Sequence, residues 1–230
     1  MPSVKATGTS IFVGRTGGFP ATFTFGVWLR INSYSTNFTQ GILWANNLGG
    51  GGGGGVDTDE SGSSTTLDAY VFKGATEDFV SILTGSYTNW VFVALTHTSG
   101  SNNFDVYWRN QEQAYLNHHT LNCGADLDLN AGLSVAGGSG EVSATNARNF
   151  FLKNSVLTAT QILASSMSMG APSGSNETYL VLSSATGAGT NGGTGGNWTV
   201  TGALATDSTA GSQPEPDLPS ALLMGSGSTS

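Results

Sequence analysis

The sequence predicts an all-β fold, an antiparallel β-sandwich of jelly-roll type with one short helix near residues 158–167, and three observations predict it. Short apolar runs with two-residue alternation recur along the chain. Glycine-, serine- and asparagine-rich turns separate them, and only one stretch carries helix-start chemistry. No repeat of fixed period is present.

The strongest strand signal runs from Asn89 to Ala114. Val91, Val93 and Leu95 take one face and Trp90, Phe92 and Ala94 the other, the pattern of a central strand covered on both sides. Residues 98–103 supply turn formers, and Phe104 to Trp108 resumes with aromatic and β-branched residues, which makes a hairpin. In chain order, residues 1–13 are expected to form a first edge strand. Phe23, Phe25, Val27 and Leu29 then alternate against Trp28 and Arg30 in a half-buried strand. Gly41 to Asn46 is a short strand that ends at the glycine run Gly49 to Gly55, which is not expected to hold a strand by itself.

Val56 to Ser61 then reads as an acidic surface loop, followed by strands at Thr65 to Lys73 and Phe79 to Leu83. The segment Ala114 to Gly124, with His118, His119 and Cys123, is poorly periodic and is expected to be loop. Leu127, Leu129, Leu133 and Val135 mark further strands, and Ala147 to Lys153 another. Thr158 with Gln161 three residues on is a capping box, with Ile162, Leu163 and Met167 as the helix's apolar residues. Thr178 to Ser183 and Trp198 to Val200 close the sandwich, separated by a glycine- and asparagine-rich loop read as flexible or tightly packed. The expected domain boundary follows residue 202. Residues 203–230 are rich in Pro, Gly and Ser and read as an extended arm with nothing of its own to pack on, so neighbouring protein subunits are its expected partners.

Composition narrows the function classes. With 7 basic and 15 acidic residues, a net charge of −8 and only 10% charged residues, the chain lacks the cations that phosphate contacts need. Nucleic acid and membrane insertion are therefore not expected, the latter also because no run of about 18 apolar residues occurs. Cys123 is the only cysteine, which excludes an intramolecular disulfide and a thiolate cluster. The opening residues MPSVKATGTS have no export-signal pattern. The expectation is a mature chain starting near Met1 and made without a signal peptide, reaching a virion or extracellular surface by another route such as release within a virus particle.

Trp90 to Thr96, the Ser99-Gly100 turn, then Val106-Tyr107-Trp108 and Asn110, resemble the central hairpin of laminin-G-like domains, members of the concanavalin A-like lectin/glucanase superfamily. Phe23 to Leu29, Leu133 to Gly138 and Phe150 to Ile162 resemble further segments of that family in the right order. Gln111 stands where the family has glycine, and the glycine run is an addition. The resemblance implies two curved antiparallel sheets packed face to face. The stretch from Thr178 to Leu204 is similar to laminin-G-like modules of phage virion proteins, which implies a structural protein of a virion surface, a capsid decoration or tail-associated component, with a capacity for glycan adhesion.

The chemistry is sparse. A glycoside hydrolase needs two carboxylates held about 5 Å apart, and the one dense acidic cluster, Asp57 to Glu60, follows glycines and reads as a solvated turn. No catalytic residue is expected and the protein is read as a non-enzyme. Asp57 and Asp59 are the candidate ligands for at most one structural Ca2+, with Asp126 and Asp128 as the alternative; no cofactor is required. Adjacent His118 and His119 would point to opposite faces of a strand and cannot chelate together. No G-x-S-x-G turn or phosphate-binding loop frame occurs. Among the tryptophans, Trp108 and Trp198 lie beside polar turns and are the candidate sugar-stacking platforms. The alternative functions are a free lectin-like adhesin for cell-surface polysaccharide and, third, a glycoside hydrolase.

Overall fold

The structure is a computed structural model, and it describes residues 3–32, 39–44, 53–61, 64–73, 76–85, 89–124, 127, 129–137, 142–168 and 170–208. In chain order the strands are β1 (Ser3–Thr9), β2 (Phe12–Arg15), β3 (Phe23–Ile31), β4 (Thr39–Trp44), β5 (Gly54–Ser61), β6 (Ser64–Lys73), β7 (Thr76–Thr84) and β8 (Val91–His97). They continue as β9 (Asn103–Asn110), β10 (Asn117–Asn122), β11 (Leu133–Val135) and β12 (Val142–Lys153). Helix α1 (Ala159–Ser168) follows, then β13 (Thr178–Leu180), β14 (Thr199–Thr201) and β15 (Ala205–Asp207).

These strands form two antiparallel sheets packed face to face. The first runs β10-β9-β8-β3-β12, with β1 and β13 sharing the far side of β12 and β15 beyond β1. The second runs β7-β6-β5-β4-β11-β2-β14. A single parallel bridge, Val142 to Thr39, joins them at one corner. The alternation in the sequence sets what each face meets. Phe23, Phe25, Val27 and Leu29 of β3, with Val93, Leu95 and Val106, pack between the sheets against Val56, Leu67, Ala69 and Val71. Each such side chain removed from water contributes about 1.5–3 kcal/mol.

The opposite face of the first sheet is apolar too. Trp28, Phe92, Ala94 and Phe151 form a second cluster with Leu157 and Ile162, so α1 lies over this outer face. That explains why every residue of β8 is buried: it pairs on both sides, with β3 and β9, and is covered above and below. Gly26 makes room for this layer, since a Cβ there would come within 2.8 Å of the Phe151 ring and 2.9 Å of Phe92. In β12 a bulge between Arg148 and Phe151, with Asn149 at φ 52°, lets Ala147 and Phe150 both face the main core while Phe151 turns to the helix. The helix begins as its sequence requires. The Gln161 N–H donates to Thr158 Oγ1 at 3.3 Å and the Thr158 N–H to Gln161 Oε1 at 2.9 Å, a reciprocal cap worth about 1 kcal/mol.

Four expectations need correction. The N-terminal segment is two strands, and β1 is interior, pairing with β12 and β15. The acidic segment is not a loop: Gly54 and Gly55 already pair with Trp44 and Leu43, because β4 and β6 flank β5 and supply the ladder that glycine cannot impose alone. His118 and His119 lie on a strand, β10, whose register is set by β9. The sandwich also extends past the expected boundary at 202, because β15 pairs with β1 and Asp207 accepts a hydrogen bond from Asn146 at 3.0 Å. Residues 209–230 of the expected arm lie outside the described residues. Among the described residues, no helix is long and apolar enough to cross a membrane.

Candidate functional site

The two outer faces of the sandwich differ. On the first sheet α1 covers the apolar strip. On β5, β6 and β7 of the second sheet, the residues that alternate away from the core include Asp57, Thr66, Asp68, Tyr70, Phe72, Glu77, Phe79 and Ser81, and none of them belongs to either apolar cluster. Alternation is the cause: Leu67, Ala69 and Val71 point into the core, so their neighbours on β6 must point out.

Asp57 and Asp68 are directly opposite across the β5–β6 ladder, both buried, at 8% and 6% exposure. Residues so placed have Cβ atoms about 4.5–5.5 Å apart, and like charges there oppose each other. Thr66 Oγ1 donates to Asp68 Oδ2 at 2.7 Å and fixes that carboxylate's orientation. Beside the pair, Tyr70 and Phe72 meet edge to face with ring centres 5.7 Å apart, and Phe79, opposite Tyr70 on β7, is 56% exposed. The face thus combines opposed carboxylate acceptors with aromatic rings, a pairing suited to a neutral polyol that offers hydroxyl donors and an apolar ring face.

The other candidates are placed differently. Trp198 is buried at 4% exposure and is no platform: its ring packs on Phe150 at 5.0 Å and Phe19 at 6.0 Å, and its Nε1–H donates to Thr178 Oγ1 at 3.3 Å. Trp108 is half-buried and packs against the main core at the β9–β10 edge of the sandwich. Asp57 joins the outer face just described. The Asp59 side chain, and Asp126 with Asp128, lie outside the described residues. Among the described residues, no group of three or more His, Cys, Asp or Glu side chains is placed to hold a metal ion. His118 and His119 do point to opposite faces, and His118 Nε2 is 2.9 Å from Asp105 Oδ1 while its ring stacks on Tyr107 at 4.7 Å. Burial, with a smaller contribution from Asp105, holds the Tyr107 hydroxyl above its ordinary pKa, so it stays a neutral donor.

The loop from Gly187 to Asn197 is tightly built around Asn191. Its Oδ1 accepts from the N–H groups of Tyr179 and Gly193, each at 2.8 Å, and its Nδ2 reaches the carbonyls of Glu177, Gly195 and Gly196 at 3.0, 2.9 and 3.2 Å. Underneath, Arg15 and Glu177 form an ion pair at 2.6 Å with side-chain exposures of 11% and 8%. This loop is scaffold, and it fixes the Trp198 corner of the core.

Asp68, Tyr70 and Phe72 carry no signal of their own in the sequence; only assigning the faces of Thr65 to Lys73 would have grouped them with Asp57.

No protein-family model and no curated protein matches this sequence. Solved structures do match the fold. A candidate carbohydrate-binding protein from Bacteroides ovatus superposes with a TM-score of 0.58 at 14% identity, over 89% of this chain and 59% of that one. A heptameric SAP-like pentraxin from Limulus polyphemus gives 0.55 at 11%, over 89% and 94%. Tailspike protein 2 of Escherichia coli O157:H7 bacteriophage CAB120 gives 0.53 at 11%, over 74% of this chain and 24% of the tailspike. The chain therefore spans about a quarter of the tailspike and less than two thirds of the Bacteroides protein. What it shares with all three is the all-β sandwich.

Proposed function

We propose that this chain is a carbohydrate-binding sandwich of the concanavalin A-like, laminin-G-like kind, carried on a virion surface and acting by adhesion without catalysis. The observation that carries the reading is the asymmetry of the outer faces: α1 covers one, while the other presents Phe79 and part of Phe72 beside the buried Asp57, Asp68 and Tyr70. The exposed Phe79 and the partly exposed Phe72 would stack on sugar faces, with the buried Tyr70 behind them, and the carboxylates would accept from paired hydroxyls. The fold shared with a phage tailspike supports the virion setting, and the fold shared with the Bacteroides protein supports the glycan class. In this setting the residues beyond 208 contact neighbouring subunits.

The test is retention of the intact chain on bacterial surface polysaccharides and on a broad glycan array. Wild type is retained by at least one polysaccharide. Phe72→Ala and Asp68→Asn each weaken retention at least about tenfold, a loss of about 1.4 kcal/mol, while Tyr115→Ala, on an exposed loop away from this face, leaves it unchanged. Silence across array and polysaccharides, or equal loss in all three variants, contradicts the reading. The opposed Asp57 and Asp68 favour a second reading, hydrolysis, because retaining glycosidases work with two neighbouring carboxylates. New reducing ends formed by wild type and abolished in Asp68→Asn would establish it; adhesion predicts none.

A further inference from the structure

We infer that the cavity between β13 and the Asn191 loop is a separate binding site, one that takes a single neutral sugar ring. Thr178 and Leu180 of β13 are fully buried, so Tyr179 and Val181 alternate to the outer side of the first sheet. Tyr179 packs in part on the apolar layer under α1, while Val181 lacks such cover and is 48% exposed. The loop then folds back beside them, where the Gly192 N–H donates to the Tyr179 carbonyl at 2.9 Å. The space enclosed is a cavity of about 250 Å³, walled by Tyr179, Val181 and Ala188 and lined with the hydroxyls of Ser183, Thr186 and Thr190. Thr186 and Thr190 are exposed, so it opens to solvent. Its size falls below the range of about 300–1,000 Å³ of sites for drug-sized ligands, which suits one ring and not a chain.

The lining selects the ligand. Among the described residues that form it none is charged, so an ion of either sign meets no counter-charge. A hydroxyl side chain is both donor and acceptor, as a sugar hydroxyl is. Hydroxyls beside an apolar and aromatic wall match a pyranose, whose ring presents C–H groups and whose rim presents hydroxyls. The walls are also pre-set, which spares a ligand the cost of ordering them. Asn191 Oδ1 holds the Tyr179 N–H at 2.8 Å, the Thr190 N–H donates to the Gly187 carbonyl at 2.9 Å, and the Thr186 N–H donates to Ser184 Oγ at 3.2 Å. Leu182, another lining residue, is held at φ 52°, a left-handed conformation uncommon for leucine. Such strain persists only where the surroundings enforce it, and it gathers at ligand sites. The cavity belongs to the first sheet and stands apart from the outer face of β5 to β7.

Titration of the isotope-labelled full chain with the methyl pyranosides of glucose, galactose, mannose and N-acetylglucosamine, followed by amide NMR, tests this. At least one of them gives saturable shifts centred on residues 181–192 at millimolar concentrations. Gly192→Leu then weakens binding at least about tenfold. A Cβ at 192 meets the Tyr179 carbonyl oxygen at 3.5 Å and Cδ1 at 3.8 Å, ordinary contacts, so the side chain fills the cavity without displacing backbone. Gly196→Leu is the matched control: on the same loop but outside the cavity, with nothing within 4 Å of its Cβ, it leaves binding unchanged. Both keep the wild-type melting temperature. Should Gly192→Leu melt early, Thr190→Val decides, since it removes one exposed hydroxyl and weakens binding about three- to tenfold. Asp68→Asn leaves these shifts as they are, so a silent outer face of β5 to β7 and a silent cavity are separate results. No shifts at 181–192 with any of the four pyranosides, equal loss in the Gly192 and Gly196 variants, loss in Asp68→Asn, or no loss in whichever of the Gly192 and Thr190 variants melts as wild type overturns the inference.

Discussion

Gly195→Ala and Glu177→Ala each lower the melting temperature by about 6–20 °C, measured by thermal circular dichroism. A Cβ on residue 195 would overlap Glu177 Oε1 and come within 2.8 Å of Arg15 Nη1, so the substitution must push the ion pair apart. Both groups of that pair are largely buried, and Arg15 is also held over the ring of Phe19 at 4.2 Å and near Trp198 at 5.7 Å. Losing one partner strands the other without water, which costs about 3–5 kcal/mol, and in a chain of this size each kcal/mol shifts the midpoint by about 2–4 °C. Glu177 also accepts from Thr178 Oγ1, the group that in turn receives the Trp198 indole N–H, so the damage spreads into the core. Unchanged melting in both variants would mean that the Asn191 loop and its ion pair contribute nothing to the fold.

The second large effect concerns Arg109, which is fully buried between the first sheet and α1. Its guanidinium donates to Ser166 Oγ and to the carbonyls of Gln111 and Asn110, at 3.2, 3.2 and 3.3 Å, and lies 5.4 Å from the Trp28 ring. These contacts do not include a carboxylate, and burial pushes its pKa below the ordinary arginine value. A desolvated cation held by neutral acceptors contributes mainly through its packing volume. Arg109→Ala, which leaves a cavity under the helix, therefore costs about 2–5 kcal/mol. Arg109→Met, which fills much of that volume without charge, stays within about 1.5 kcal/mol of wild type. Urea unfolding of the two variants checks this; a Met variant as unstable as the Ala variant would show that the hydrogen bonds to Ser166 and the two carbonyls dominate.

The sequence made local features legible wherever one segment carries its own instruction. Val91 to His97 shows burial on both faces and Thr158 with Gln161 shows the helix start, and both are found in place; Phe23 to Ile31 shows its strand by alternation, but it is buried on both faces where one was expected to be open, because α1 covers Trp28. It was misleading where the deciding partner is remote in the chain. Trp198 stands between Asn197 and Thr199 and reads as a rim residue, yet Phe19 and Phe150 enclose it. The strand of His118 and His119 has little apolar alternation because it is an edge strand, with Leu121 as its fully buried residue; its pairing with Val106 and Tyr107 defines it. Glycines at 54 and 55 carry no side-chain pattern, so only flanking strands reveal them as ladder residues.

The candidate site was half legible for the same reason. Asp57 stood out as one of a row of acids expected to be solvated, and its own side chain is buried. Its opposition to Asp68 is a fact of register between β5 and β6, which one sequence does not state. Tyr70 and Phe72 lie within a segment that reads simply as a strand, and they become site residues only once Leu67, Ala69 and Val71 are seen to claim the core.

The central claim is that the outer face of β5 to β7 binds carbohydrate. Its most direct test is a titration of the isotope-labelled full chain, followed by amide and side-chain NMR shifts, with oligosaccharides cut from a polysaccharide that retains it. The account predicts saturable shifts centred on Asp57, Asp68, Tyr70, Phe72 and Phe79, with the strip under α1 unmoved. Saturable shifts confined to the Tyr107–His118 edge, the Asn191 loop or the helix layer would contradict it.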